Sequence, residues 1–213
     1  MLLAAEHDKE LRRILDQASL VLPESSGILW ASRVLDAPLA EFTPGIDLML
    51  AICRMAAEKG HPAYLLGSAP GTAETAGRIL AERFAGFSVV GTHHGYFGTA
   101  EEASVIENIR RTKPSILFVG MGMPAQEKWI ARHLAALEVP VVMGVGGSFD
   151  VLSGKLRRAQ PVMLRAGIEW LYRLAQEPWR WRRIAQLPVF AWKVLNEKRI
   201  GNRKEKVGNR NYE

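Results

Sequence analysis

The sequence predicts an α/β fold in which helices flank a parallel sheet and a helical appendage follows at the C-terminus. Two observations predict the sheet: short apolar runs of strand length end in glycines, and segments of helical periodicity separate them. Strands that alternate with helices in this way form parallel sheets. The third observation is a change after about residue 164 to helical patterns rich in arginine and tryptophan, which predicts the appendage.

Length and composition fit a folded protein with one α/β domain, residues 1–164, and an appendage, residues 165–213. Apolar residues make up 48% of the 213 residues and charged residues 23%, which is ordinary for such a protein. The single cysteine, Cys53, excludes a disulfide framework and a cysteine-rich metal site. It lies in an apolar stretch and is predicted to be a small buried hydrophobe.

Positive charge is concentrated in the last quarter of the chain. Residues 165–213 hold 12 lysines and arginines against 5 acidic residues, whereas residues 1–164 hold 16 against 17. Four of the six tryptophans lie in the same basic part. This distribution predicts an anionic surface as the partner of the appendage.

No apolar run approaches the roughly 20 residues that span a bilayer. The N-terminus also lacks a basic segment followed by an apolar one. The sequence therefore predicts an intracellular protein.

The first part of the chain is predicted to be mainly helical. The predicted elements are a helix over 4–17, a short strand over 19–22, a helix over 27–35 and a helix that Thr43 or Asp47 caps and that ends near Lys59.

Strands and helices then alternate. The predicted strands are 63–66, 87–90, 115–119 and 140–143, with helices over 73–84 and 101–111 between the first three; after a basic turn, helices are predicted over 162–176 and 179–198.

Two glycine-rich loops follow the third and fourth strands, at Gly120–Gly122 and Gly144–Gly147. In an open parallel sheet such loops lie at the carboxyl ends of the strands, where ligands bind. Glycines let backbone amides approach an anion, and a following helix start adds partial positive charge. Two such loops predict a phosphate-bearing ligand held from two sides.

The residues alone leave alternatives open at each candidate position. Pro124 suits a first helical turn, which places Gln126 and Glu127 beside the expected ligand cleft. Without the surrounding motifs, a capped helix start with solvated polar residues is the better explanation. Gly147 and Asp150 could form only a tight turn and an N-cap, and the loop that begins at Gly67 could only cap a helix.

A metal site is not expected at His93 and His94. Neighbouring residues of an extended loop point to opposite sides, and a metal needs three or four converging ligands. Tyr96 could line the cleft or pack with its hydroxyl satisfied.

Six elements together resemble one family, the bacterial glycosyltransferases of the teichoic-acid and enterobacterial-common-antigen (WecG/TagA/CpsF) type. The elements are Gly45-Ile-Asp47-Leu-Met49, Tyr64-Leu-Leu-Gly67 with Pro70-Gly71, Gly91-Thr-His-His-Gly95-Tyr96-Phe97, Gly122-Met-Pro124-Ala-Gln126-Glu127, Gly144-Val-Gly146-Gly147-Ser-Phe149-Asp150 with Gly154, and Gly167-Ile-Glu169-Trp170-Leu-Tyr-Arg173-Leu. They occur in the family's order and at its spacings, over about residues 10–195.

The resemblance implies a Rossmann-like core and an inverting transfer of N-acetylmannosamine, or a related sugar, from a UDP donor to a polyprenyl-diphosphate-linked acceptor. No metal cofactor is expected, because the chain lacks the Asp-x-Asp motif that metal-dependent glycosyltransferases use. The resemblance places the base that takes the acceptor proton at Glu24, where the family has an aspartate. Phe42 stands at the family's arginine and Gln160 at its proline, and both the glutamate and Phe42 put activity in question.

The resemblance also assigns roles to residues in and beside the loops that follow the strands. Gln126 is predicted to act in catalysis, and Asp150 to accept hydrogen bonds from the uracil or the ribose. The donor-binding set is predicted to be Gly67, Tyr96, Gly122, Pro124, Glu127, Gly146, Gly147 and Asp150.

The appendage is predicted to meet the membrane and the acceptor. Alternating aromatic and cationic residues suit a lipid headgroup interface, and arginine forks onto diphosphate oxygens. The predicted set is Arg158, Arg173, Trp179, Arg180, Trp181, Arg182 and Arg183, with Arg165 as a further cation. The expected location is the inner face of the plasma membrane, as a peripheral protein that could form homo-oligomers.

Other functions are kept as alternatives. The same machinery could use another donor such as UDP-glucose, or the chain could be a nucleotide-binding membrane module that has lost catalysis. A dinucleotide oxidoreductase is disfavoured because no Gly-x-Gly-x-x-Gly follows the first strand. A nucleic-acid binder would leave the glycine loops unexplained.

Overall fold

The computed structural model describes residues 1–39, 43–159, 163, 168–178 and 181–209. The chain forms two compact units, the first made of Met1–Val21 with Gly45–Arg157 and the second of Leu22–Pro44 with Arg158–Glu213. The sequence places the boundary after residue 164 and assigns 22–44 to the first domain. The structure instead groups 22–44 with the C-terminal helices.

A parallel sheet organises the first unit and confirms the predicted α/β class. Its described strands are β1 (Ala63–Gly67), β2 (Val89–His93), β3 (Ile116–Gly120) and β4 (Val141–Gly144). Their order is β2-β1-β3-β4, and every neighbouring pair is parallel.

Helices before, between and after the strands complete the first unit. They are α1 (Leu2–His7), α2 (Lys9–Gln17), α4 (Gly45–Lys59), α5 (Thr72–Arg83), α6 (Thr99–Thr112), α7 (Ala125–Leu137) and α8 (Ser148–Leu152). The second unit contains α3 (Ser26–Val34), α9 (Glu169–Gln176), α10 (Trp181–Ile184) and α11 (Leu187–Asn209).

The two central strands, β1 and β3, are buried along their whole length. Because side chains alternate along a strand, each strand supplies both faces of the sheet. Leu65 and Phe118 belong to a core cluster with residues of α4, α5 and α8. Tyr64 and Leu66 belong to a second cluster with residues of α6 and α7. The sheet is therefore covered by helices on both faces.

Cys53 lies on α4 in the first of these clusters and is fully buried, as the sequence predicts. Burial raises the pKa of its thiol to about 12. The side chain is thus an uncharged apolar group at neutral pH.

The predicted helix over 4–17 is divided at Asp8. The backbone of Asp8 is extended, and its carboxylate caps α2 by accepting the Leu11 N–H at 3.0 Å. Lys128 of α7 lies 2.7 Å from the same carboxylate. The hydrogen bond with Lys128, followed by that from Leu11, holds the pKa of Asp8 below its ordinary value.

Two predicted strands differ from the structure. Ser19–Leu22, all described, forms no strand, and Leu20 and Val21 are exposed. None of the described strands pairs with the apolar run Leu20–Leu22, so its β propensity is not realised. The strand predicted over 87–90 begins later, at Val89, where pairing with β1 begins.

In the second unit, α3 packs against α11. Lys198 of α11 bonds the Asp36 carboxylate just beyond the end of α3. The helix predicted over 162–176 is described as α9 from Glu169, and residues 164–167 before it lie outside the described part. The helix predicted over 179–198 is two helices, α10 and α11, with a turn at residues 185–186.

Candidate active site

The carboxyl ends of the four described strands meet on one edge of the sheet. Gly67 pairs with Gly120, Leu66 with His93, and Val119 with Gly144. The loops that follow are therefore neighbours, and we call residues 68–71, 94–98, 121–124 and 145–147 the rim. Helices α5 to α8 begin at the rim, so their partial positive charges gather there.

Beside the rim, the last residues of β1 and β3 approach each other closely. Gly67 has φ +140, and a Cβ there would lie 2.4 Å from the Gly120 oxygen. Beyond it, the Ser68 N–H donates to the Gly120 oxygen at 2.8 Å. The chain leaves β1 for β2 on one side and reaches β3 and β4 on the other, so this is the switch point where ligands bind in open α/β sheets.

Gly122 and Gly146 follow the adjacent strands β3 and β4. Both have left-handed backbones, with φ +77 and +52, and no described atom lies within 4 Å of where a Cβ would stand. The space that a side chain would occupy at each glycine is therefore open, which leaves room for a ligand beside the backbone. Gly147 follows as the N-cap residue of α8.

Pro124 is exposed and is the N-cap residue of α7. The sequence predicts it in the first turn of the helix, one position further along. The peptide bond before it is cis. Its position places the start of α7 at the rim, with Gln126 and Glu127 in the first turn.

The Gln126 side chain is only 6% exposed and joins two rim loops. Its Oε1 accepts the Gly146 N–H at 3.0 Å, and its Nε2 donates to the Glu127 Oε1 at 2.9 Å. A Cβ at Gly144 would lie 2.6 Å from the same Nε2, so the amide occupies the space that a side chain on β4 would need. Gln126 thus fixes the backbone of the loop after β4.

One carboxylate oxygen of Glu127 accepts no hydrogen bond from the described residues. Its Oε1 receives the Gln126 bond, while Oε2 is buried and has no hydrogen-bond partner among the described residues. A buried carboxylate oxygen without a partner is costly. A donor from a bound ligand would satisfy it.

Asp150 links the loops after β1 and β4. Its Oδ2 accepts the hydroxyl of Ser68 at 3.1 Å. Ser68 itself has a left-handed backbone with φ 55 and is 9% exposed. Close by in the chain, Lys155 donates to the hydroxyl of Thr72, the first residue of α5. A carboxylate and an ammonium group thus stand at the helix starts of the rim.

The loop after β2 completes the rim. Tyr96 is 76% exposed, so it does not pack into the described core. The Gly95 N–H donates to the Ser68 oxygen at 2.9 Å, which holds this loop against the loop after β1. His93 Nδ1 lies 2.8 Å from the His94 carbonyl, and His94 Nδ1 is buried without a partner among the described residues.

Glu24, the predicted base, belongs to the second unit. It is exposed and directly precedes Ser25, the N-cap residue of α3. The Ser25 hydroxyl accepts the Ile28 N–H at 3.3 Å, so the cap fixes the backbone beside Glu24. Phe42 and Gln160, the other two departures from the family pattern, lie outside the described residues.

The predicted acceptor and membrane residues are also in the second unit. Arg158 is exposed and Arg173 is half-buried on α9. Trp181 is 59% exposed, with the Arg182 guanidinium 5.7 Å from its ring centre. Arg183 lies in α10, where only its backbone is described. Trp179, Arg180 and Arg165 lie outside the described residues.

Within the described residues, no group of three or more histidine, cysteine or acidic side chains could hold a metal ion. The rings of His93 and His94 are tilted by 45° to each other, with their centres 4.5 Å apart, so the two side chains do not point to opposite sides as the sequence predicts. The helices described in the structure include none long and apolar enough to cross a membrane.

The sequence predicts the glycine loops but not the bonds between them. No motif marks Ser68 or Lys155, although each lies within a few residues of a predicted glycine. The Ser68–Asp150 bond joins residues 82 positions apart, and the Gly146–Gln126 bond joins residues 20 positions apart. No local pattern in the sequence encodes either bond.

A parallel sheet whose glycine loops and helix starts gather at one edge is an arrangement that holds phosphate-bearing ligands. Comparison with known proteins makes the class specific. Residues 1–204 match the model of the glycosyl transferase WecG/TagA/CpsF family.

Two similar proteins come from Staphylococcus aureus, strains MW2 and NCTC 8325 / PS 47. Each is named N-acetylglucosaminyldiphosphoundecaprenol N-acetyl-beta-D-mannosaminyltransferase and is 37% identical over 186 residues, which is 87% of this chain and 72% of the relative. The chain therefore belongs to the glycosyl transferase WecG/TagA/CpsF family, as the six sequence elements predicted.

Proposed function

We propose that this protein transfers an N-acetylmannosamine-type sugar from a UDP donor to a polyprenyl-diphosphate-linked acceptor, with inversion at the sugar carbon. Family membership and the names of the relatives support the reaction type and the acceptor class. The observation that carries the donor site is the pair of open glycines, Gly122 and Gly146, at the ends of adjacent strands. The product would serve cell-wall or exopolysaccharide assembly.

The rim would hold the UDP part of the donor. The diphosphate would lie against the open backbone of the loops after β3 and β4, facing the helix starts. Asp150 accepts from Ser68 through one oxygen and would accept a ribose or uracil donor through the other. The unpartnered Glu127 Oε2 would receive a hydroxyl or amide donor of the sugar.

The transfer itself needs one base and one stabilised leaving group. The Glu24 carboxylate would take the proton of an acceptor hydroxyl while that oxygen bonds to the sugar C1 from the face opposite UDP. The bond between C1 and the phosphate oxygen breaks, and its electron pair leaves with UDP. Helix starts, loop amides and arginines would stabilise the diphosphate charge that develops, with no resident metal in the proposed reaction.

The second unit would bring the protein to its acceptor. Its exposed Trp181 and Arg182 suit an anionic headgroup layer. The proposed location is peripheral, on the inner face of the plasma membrane, where a diphosphate-linked lipid is accessible.

A donor panel tests the function directly. The protein would be incubated with an N-acetylglucosaminyl-diphosphoprenol and with UDP-N-acetylmannosamine, UDP-N-acetylglucosamine or UDP-glucose in turn, and the product would be analysed by mass spectrometry and NMR. We expect transfer from the N-acetylmannosamine donor with inverted configuration. Transfer from UDP-glucose alone would move the assignment to another donor, and a retained configuration would contradict the mechanism.

Glu24→Gln tests the assigned base. Because the variant keeps the size of the side chain and removes the proton acceptor, kcat should fall about a hundredfold to ten-thousandfold while the Kd for UDP is unchanged. Glu58→Gln, at an exposed glutamate of α4, is the matched control. Unchanged turnover in Glu24→Gln would remove Glu24 from the mechanism.

A further inference from the structure

Lys155 is held at the start of α5 by a contact between distant parts of the first unit. Its Nζ donates to the Thr72 hydroxyl at 2.5 Å, across 83 positions in the sequence. Thr72 is the first residue of α5 and is fully buried, whereas Lys155 is exposed. The lysine therefore lies beside the rim, with part of its surface open to a ligand.

Two features hold the segment that carries this lysine. Gly154 has a left-handed backbone with φ +80 and turns the chain back after α8, where the Leu156 N–H donates to the Asp150 backbone oxygen at 2.9 Å. Phe149 of α8 and Ala73 of α5 are fully buried in the same core cluster. The segment after α8 and the start of α5 are thus held together before any ligand binds.

The positive charge of Lys155 has no acidic partner among the described residues. Asp150 is the acidic residue nearest to it in sequence, and Glu74 is the one nearest to Thr72, but neither forms an ion pair with it. Lys128 of α7 is different, because the carboxylates of two acidic residues lie 2.7 and 2.8 Å from its ammonium group. The charge of Lys155 is therefore available to an anionic ligand.

A cation beside the start of α5 is electrostatically unfavourable unless an anion also binds there. The N-terminus of a helix carries partial positive charge that repels a nearby ammonium group, and no described side chain caps the first turn of α5. Gly71, the N-cap residue, has φ +79, and no described atom lies within 4 Å of where a Cβ would stand. An anion would find open backbone beside Gly71 and would be attracted by the ammonium group.

We infer that Lys155 contacts the diphosphate of the sugar donor and stabilises the UDP that leaves. The inference rests on the proposed function, because the donor is the one assigned there. When the bond between C1 and the phosphate oxygen breaks, its electron pair stays on that oxygen and the negative charge of the diphosphate increases. An ammonium group that is already in place stabilises this charge more than it stabilises the bound donor. The Thr72 hydroxyl holds the ammonium group, so Thr72 is a positioning residue.

Lys155→Met removes the charge and keeps the length of the side chain, and Lys155→Arg keeps the charge. Lys59→Met, at an exposed lysine in the last turn of α4, is the matched control. Binding of UDP would be measured by calorimetry and binding of uridine by NMR titration, without acceptor and without turnover. We expect the Kd for UDP to rise about tenfold to a hundredfold in Lys155→Met, at most about threefold in Lys155→Arg, and not in Lys59→Met.

Uridine separates a contact with the diphosphate from a structural role of the lysine. Because uridine carries no phosphate, its Kd should be the same in the unmodified protein and in all three variants. Equal weakening of UDP and uridine binding in Lys155→Met, or an unchanged Kd for UDP, would overturn the inference. If Lys155→Met fails to fold by circular dichroism, Lys155→Gln replaces it with the same expectations.

Thr72→Val tests the positioning role, because valine keeps the shape of the buried side chain and removes the hydroxyl. We expect the Kd for UDP to rise about threefold to tenfold in Thr72→Val, and to rise no further when Thr72→Val is added to Lys155→Met. An equal effect of Thr72→Val with and without the lysine would overturn the positioning assignment.

Free pyrophosphate has the same chemistry as the donor diphosphate and is the other possible source of the anion. If pyrophosphate binds as tightly as UDP and with the same dependence on Lys155, this is a general anion site and the assignment to the donor is wrong. We expect pyrophosphate to bind at least tenfold more weakly than UDP, because it lacks the nucleoside.

Transfer assays at saturating donor test the role of Lys155 in the reaction. We expect kcat to fall about a hundredfold in Lys155→Met, to recover in part in Lys155→Arg and to be unchanged in Lys59→Met. An unchanged kcat in Lys155→Met would overturn the role at the leaving group and leave the proposed function standing. Binding of UDP that depends on Lys155, without transfer by the unmodified protein, would overturn the proposed function and leave the diphosphate contact standing.

Discussion

Gln126 shows how one side chain organises the rim. Its amide is buried, its oxygen accepts the Gly146 N–H and its nitrogen donates to Glu127. Removing a buried acceptor leaves the opposing donor unsatisfied, at a cost of about 1–3 kcal/mol. The loop after β4 therefore depends on a side chain from α7.

Gln126→Met keeps the length of the side chain and removes both hydrogen bonds. Because the Gly146 backbone is then free to move, we expect the Kd for UDP to rise about tenfold, measured by calorimetry. Gln17→Met, at an exposed glutamine of α2, is the control. An unchanged Kd for UDP in Gln126→Met would show that this bond does not organise the donor site.

Single residues also show what the sequence could predict of the site. Gly67, Gly122 and Gly146 were predictable because each ends or follows an apolar strand. Their positive φ angles explain why glycine stands at these positions. The Gln126 bond was not predictable, because it depends on how far α7 reaches toward the β4 loop. Local patterns determine where a loop begins, and tertiary packing determines which side chain crosses it.

At the scale of elements, β1 and β2 are joined by a tyrosine that lies over a glycine. Tyr64 is fully buried and its hydroxyl donates to the Asn108 Oδ1 of α6 at 3.0 Å. A Cβ at Gly91 would lie 2.4 Å from the Tyr64 ring. Burial, with a smaller effect of Glu74, raises the pKa of the Tyr64 hydroxyl to about 12. The Tyr64 hydroxyl therefore stays protonated at neutral pH, and its hydrogen bond to Asn108 holds the ring against α6.

Gly91→Ala should destabilise the first unit by about 1–3 kcal/mol, measured by urea unfolding, because the buried ring cannot move away. Gly98→Ala, where no described atom lies within 4 Å of the new Cβ, should cost less than about 1 kcal/mol. In a Tyr64→Leu background the cost of Gly91→Ala should shrink. Equal costs in both backgrounds would contradict the steric account.

The elements that the sequence predicted best are those decided by local composition. The strands β1, β3 and β4 begin and end within one residue of their predictions, because continuous apolar runs mark strands buried on both faces. Ser19–Leu22 has a similar apolar character and forms no strand, because a strand also needs a neighbour. Pairing partners are a property of the whole fold.

At the scale of the whole molecule, the division into units was the least predictable feature. The second unit joins Leu22–Pro44 to Arg158–Glu213, segments separated by more than 100 residues. The sequence places 22–44 with the sheet because the predicted boundary follows the change in charge and composition after residue 164. The apolar faces of α3 and α11 decide otherwise, since the two helices pack against each other.

The helix α11 is apolar on more than one side. Phe190 and Ala191 line an apolar depression between α3, α9 and α11, and Val194 is 6% exposed. Val189, Trp192 and Leu195 are exposed by 49%, 65% and 48%. A stripe of exposed apolar residues on a helix in the basic part of the chain is typical of a surface that rests on a membrane.

Trp192→Glu tests this surface in the whole protein. Introducing a carboxylate at the centre of the stripe should reduce cosedimentation with phosphatidylglycerol vesicles about tenfold, because it removes an interfacial indole and repels the anionic headgroups. Leu134→Glu, at a similarly exposed residue of α7 in the first unit, should leave vesicle binding unchanged. Raising the salt concentration should weaken binding of the unmodified protein, since part of the attraction comes from its arginines and lysines. If both variants lose vesicle binding equally, or if phosphatidylcholine vesicles bind as well as anionic ones, membrane association does not come from the basic second unit.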